Sequence, residues 1–197
     1  MMPEWKDEVR ELARQMEKAP QILPEEIPDL EIYMDQLTTY LDKRLGFYDR
    51  EEESPFVTRS MVNNYSKAKL LPPPSSKRYG RSHVMLLSLV CQLKRIFTIQ
   101  DLGRLLAPVA GEKETGNLYR QFLTAQRESF AETPAMTETL LARLEEGGGP
   151  DQAKAILVTQ LAVRAQRDLL LAERILDTLR PPEEEKPGKD KKKKRKT

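Results

Sequence analysis

An all-α fold is what this sequence predicts, and three observations carry that prediction. Apolar residues recur at helical spacing in several separate segments, prolines and glycines punctuate the chain between them, and one segment is apolar enough to be a central buried helix. At 197 residues, with 39% apolar and 32% charged side chains, the chain is long enough for one compact domain with appendages and too polar to be wholly core.

The elements follow in order. Residues 3–18 form an amphipathic helix, with Trp5, Val9, Leu12, Ala13 and Met16 on one stripe. Pro20, Pro24 and Pro28 then impose an extended connector. A second helix is expected from an N-cap at Asp29 to about Leu45, with Leu30, Tyr33, Met34, Leu37, Tyr40 and Leu41 on its apolar side and Gly46 after it. Beyond the acidic stretch 49–53, a third, short helix starts after Thr58 or Ser60 and ends before Pro72, because Leu71-Pro72-Pro73-Pro74 must be extended. The central helix is expected over 82–97. Thr98, with Asp101 three residues on, is a carboxylate version of the capping box and starts a helix through about Leu106. Helices at 113–132 and 135–146 precede the Gly147-Gly148-Gly149-Pro150 break. The last helix, 151–179, has apolar residues around much of its circumference, which predicts buried or oligomeric packing. From Glu183 on, the chain is charged and lacks apolar residues, so 181–197 is expected to be a disordered basic tail.

Charge is distributed unevenly. The net value of +2 resolves into −8 over residues 1–53, +8 over 54–104, −2 over 105–182 and +4 over 183–197. A segment at +8 predicts either a face for a polyanion or a surface neutralised by the acidic segment before it. The lone Cys91 excludes an internal disulfide and sits within the apolar helix as a small core residue, and His83 is expected at the surface near that helix's start. No cofactor or metal site is predicted, and no nucleophile, base and orienting group can be assembled, which argues against an enzyme. The charged N-terminus lacks the apolar stretch of an export signal, and no apolar run approaches the roughly 20 residues of a membrane span, so a cytoplasmic location is expected.

The chemistry-bearing stretch is residues 58–81. On the short helix Met61, Val62 and Tyr65 face inward, leaving Arg59, Ser60, Asn63, Asn64 and Lys67 outward. Asparagine pairs bidentately with the N6 and N7 edge of adenine, and arginine and lysine reach guanine or phosphate, so these are residue types a major-groove helix uses. After the prolines, Lys77, Arg78, Tyr79 and Arg81 supply cations and a phenol that suit a phosphate backbone. The same residues are also compatible with an ordinary solvated face.

The order of these parts adds to that reading. A short polar helix, "KLLPPP", a basic turn with tyrosine and then "RSHVMLLSLVCQLKRIFTIQDLGRLL" resembles the DNA-binding head of the MerR family of transcription regulators. More specifically, "LEIYMDQLTTYLDKRL", "VTRSMVNNYSKAKLLPPP" and "KRYGRSHVMLLSLVCQLKRIFTIQDLGRLL" resemble the bacterial family catalogued as domain of unknown function 1836, over about 28–107. The resemblance implies a MerR-like, winged helix-turn-helix fold, a regulatory role, Asn63, Asn64 and Lys67 on a recognition helix, and Lys77, Arg78, Tyr79 and Arg81 on a wing. Two departures stand out: an acidic stretch separates the two helices, and Lys69 stands where the MerR pattern has glycine.

The expectation is thus an N-terminal arm and connector at 1–27, a helix-turn-helix head at 28–107, a C-terminal helical region at 108–180 and the tail. Its expected function is sequence-specific binding of double-stranded DNA as a transcription regulator, as a homodimer joined by the C-terminal helices, the tail adding nonspecific attraction to phosphates. The alternative is a non-enzymatic interaction or scaffold protein whose basic segment binds an acidic partner. Nothing in the residue types names an effector.

Overall fold

In a computed structural model the described residues are 4–49, 55–109, 111–144 and 149–179, so the acidic run 50–53, Gly147, Gly148 and the charged tail lie outside them. Eight α-helices occur among the described residues: α1 Glu4–Glu17, α2 Met34–Leu45, α3 Arg59–Lys67, α4 Arg81–Leu93, α5 Ile99–Leu106, α6 Glu112–Ala131, α7 Thr133–Ala142 and α8 Pro150–Asp177. The structure is mostly helical, and none of these helices is long and apolar enough to cross a membrane.

Two short strands, β1 Ile32–Tyr33 and β2 Arg78–Tyr79, pair antiparallel, with Ile32 opposite Tyr79 and Tyr33 opposite Arg78. This pairing corrects the expected start of the second helix. Asp29 is not its N-cap: the chain bends at Asp29 and Leu30, enters β1, and turns helical only at Met34, where Gln36 Oε1 accepts the Tyr33 amide at 2.9 Å to close the first turn of α2. Leu30, placed by helical spacing on the apolar stripe, is instead 73% exposed. The central helix also ends early, at Leu93 rather than near 97, because Thr98 must be extended to cap α5. That cap forms as expected, with Thr98 Oγ1 accepting from the Asp101 amide at 3.1 Å.

α4 is the axis of the main core. Nine of its residues, His83 to Cys91, are buried, and Leu37, Leu41 and Leu45 of α2, Val62 and Tyr65 of α3, and Leu102 and Leu106 of α5 pack around it. The same core takes in Ile22 and Ile27 from the connector and Tyr119 and Leu123 from α6. Tyr119 ties these together: its hydroxyl donates to the Ile22 carbonyl at 2.8 Å and lies 3.1 Å from Ser88 Oγ on α4, and burial pushes the phenol up to about 12. Cys91 is fully buried, its thiol also pushed up to about 12 by burial, as befits a core residue.

A smaller core joins Leu140 and Leu141 of α7 to Leu157 of α8, with Trp5 and Val9 of α1 packed on it. Here the amphipathic reading of α1 is only half realised. Ala13 is buried, but Leu12 and Met16 remain 61% and 37% exposed beside Val158 and Leu161 of α8. α8 buries only Leu157 and Leu176, leaving Ile156, Val163, Leu170, Leu171 and Ile175 exposed.

Candidate nucleic-acid interface

α3 is built to present one face. Thr58 caps it, its Oγ1 accepting the Met61 amide at 3.2 Å, and Val62 and Tyr65 anchor it against the core with Met61 partly buried. This side of the helix is apolar and buried in the core, and that burial pushes the Tyr65 phenol up to about 12. The opposite side leaves Arg59, Ser60, Asn63, Asn64 and Lys67 exposed, as the spacing predicted.

The helix ends in a Schellman motif. The Leu70 amide bonds the Tyr65 carbonyl and the Lys69 amide the Ser66 carbonyl, both at 3.0 Å, with Lys69 left-handed at φ 58°. A lysine therefore takes the conformation that glycine adopts without a Cβ penalty. The three prolines lead to a second tight reversal. Ser76 and Lys77 both have positive φ, 48° and 64°, and the Arg78 amide bonds the Ser75 carbonyl at 2.8 Å, which makes a two-residue type I′ turn with Lys77 at its tip.

The basic residues of this region divide into free and engaged. Lys67 and Lys77 are exposed, and neither forms an ion pair with a described residue. Arg59 pairs with Asp35, both side chains well exposed. Arg78 lies over the Tyr33 ring, 5.2 Å from its centroid, and donates to the Tyr33 hydroxyl at 3.3 Å, a contact that follows from their being opposite in the β1–β2 register.

Two of the expected wing residues do not belong to an open phosphate-binding surface. Tyr79 is 6% exposed, since the alternation along β2 turns it into the core, where its ring meets His83 edge-on at 5.2 Å between centroids. Arg81 donates to the Pro24 carbonyl and so fastens the connector to the start of α4. His83, expected at the surface, is likewise buried: Nδ1 accepts the Gly80 amide and Nε2 donates to the Pro72 carbonyl, each at 3.1 Å. Burial holds this imidazole below its ordinary pKa, the Pro72 carbonyl opposing.

Asp35 and Tyr33 are the neighbours that sequence reasoning missed. Tyr33 reaches the face by pairing opposite Arg78, and Asp35 from the first turn of α2 that follows, neither of which helical spacing indicates. Among the described residues the Asp35 carboxylate pairs with Arg59, and no described acidic residue pairs with Lys67 or Lys77.

A mostly helical protein with a capped short helix exposing arginine, two asparagines and lysine beside a tight basic turn is the class defined by fold and site. The chain belongs to the family described as Domain of unknown function (DUF1836), whose model it matches over residues 22–122. Those limits lie within one residue of the main core, which runs from Ile22 to Leu123. Comparisons with curated proteins and with solved structures gave no match.

Proposed function

We propose that this protein is a sequence-specific DNA-binding regulator with a MerR-like head. α3 enters a major groove, with Asn63 and Asn64 toward base edges and Arg59, Ser60 and Lys67 toward bases or phosphate; Lys77 and Arg78 of the turn hold the backbone. The observation that carries this reading is the shared exposure of Asn63, Asn64, Lys67 and Lys77, no described acidic residue covering them. α3 is about 13 Å long, short enough to lie in one groove segment. An acidic partner protein would meet the same cations, but it would leave the paired amides without a role.

One helix of this length reads few base pairs, so two copies are expected to act together. The exposed Ile156, Val163 and Leu170, spaced by seven along α8, supply an apolar line on the side away from its buried Leu157.

The test is fluorescence anisotropy of the purified protein with DNA from upstream of its own coding region and with scrambled DNA, at two salt concentrations. A preference that survives the higher salt and is lost in Asn63→Ala/Asn64→Ala is the expected result. Equal, salt-sensitive binding of both DNAs by wild type and variant would reject base readout.

A further inference from the structure

Beside the exit of α3 lies a cavity of about 490 Å³, walled by Leu70, Leu71, Leu86, Leu106 and Val109 together with Gly103 of α5. Its size is that of a small-molecule site, and no aromatic ring lines it. Two opposite charges stand on its lining: Lys69, in its left-handed conformation at the end of α3, and Glu112, in the first turn of α6. They are not paired with each other, and neither has another ion-pair partner among the described residues. The floor includes Gly103, where a Cβ would be in ordinary van der Waals contact with Leu70 Cδ2 at 3.7 Å, so the glycine is not forced by a close approach.

We infer that this cavity binds an aliphatic amino acid, its branched side chain among the leucines and Val109, its carboxylate toward Lys69 and its ammonium toward Glu112. A purely apolar guest would leave both exposed charges to solvent and draw no affinity from them. A simple carboxylate would gain Lys69 but stand near Glu112, and a simple amine would face the reverse problem. A zwitterion with an aliphatic body uses the apolar walls and both charges, with the hydroxyl residues Ser82 and Thr115 on the same lining. Because Ala68 to Pro72 form one wall, occupancy would touch the segment that fixes the end of α3. The site itself does not depend on the DNA-binding reading.

The test is isothermal titration calorimetry of the full chain, without DNA, using L-leucine, 4-methylpentanoate (leucine without its ammonium) and 3-methylbutylamine (leucine without its carboxylate). Leucine should bind at least about tenfold more tightly than either analogue. Lys69→Gly, which removes the ammonium while suiting the left-handed backbone, should weaken leucine about tenfold and leave 3-methylbutylamine unchanged. Glu112→Gln should weaken leucine similarly and leave 4-methylpentanoate unchanged. Gly103→Val, which fills the floor, should abolish binding of all three. Absence of leucine binding to the wild type, leucine binding no tighter than the analogues, or unchanged leucine affinity in both charge variants would each overturn the assignment. Since Lys69 and Glu112 are on the surface, the two charge variants keep the test decisive even where Gly103→Val fails to fold.

Discussion

His83 Nε2 donates to the carbonyl of Pro72 at 3.1 Å, so the first turn of α4 holds the proline segment that leads away from α3. The same ring accepts the Gly80 amide through Nδ1, which requires the neutral imidazole. One buried side chain thus joins the exit of the short helix to the return from the basic turn.

Stability should fall in mild acid for this reason. Burial lowers the His83 pKa in the folded state below the unfolded value near 6.5, so the unfolded chain binds the proton more readily. The stabilising contribution is fully present above that unfolded value and is lost as pH drops below it toward the folded pKa. Urea midpoints measured at pH 8 and pH 5.5 should show a loss in wild type that is much smaller in His83→Gln, once compared with each protein's own value at pH 8.

Lys69→Gly should stabilise the fold by about 1 kcal/mol, since the Schellman position at φ 58° strains any residue with a Cβ. Chemical denaturation of the two proteins checks this directly. A destabilised variant would mean that the lysine stem packs more productively than its backbone conformation costs.

Removing the Tyr119 hydroxyl should cost about 1 to 3 kcal/mol, because Tyr119→Phe leaves the Ile22 carbonyl without its buried donor. Loss of that tie should also raise amide hydrogen exchange in the connector, near Ile22, more than in α3. Uniform change across both segments would count against a local role.

At the proposed DNA face, Asn63→Ala or Asn64→Ala should cost about 1 to 3 kcal/mol at one operator position. Folding stability should stay within about 0.5 kcal/mol, because both side chains are exposed. Lys67→Ala and Lys77→Ala should instead weaken all sequences alike and each reduce the salt slope by about 1. Anisotropy titrations on single-base operator variants separate these patterns.

The proposed self-association through α8 predicts that Val163→Glu, placed in the middle of the exposed Ile156, Val163, Leu170 line, shifts the protein toward monomer without lowering its monomer stability. Sedimentation velocity over a concentration series would show it. Identical profiles for wild type and variant would remove this face from consideration.

The sequence by itself determined which segments are helical, that Thr98 caps α5, and which side of α3 faces the core, because capping and 3.6-residue periodicity are local properties; between Thr58 and Ser60 as the cap of α3 the structure chose Thr58. It also made the family resemblance legible, and the match over 22–122 shows it. Only the tertiary structure decided the fates of Tyr79, Arg81 and His83. All three lie in a basic, polar stretch that looks open to solvent. Tyr79 is turned inward by pairing with Ile32, 47 positions earlier in the chain; Arg81 is taken by the Pro24 carbonyl, and His83 by the backbone of two turns. The same holds for Leu12, Leu30 and Met16, whose helical spacing promised burial that the described elements do not complete. Periodicity specifies a face, whereas burial requires a partner for that face, and the partner is chosen by contacts far apart in the chain.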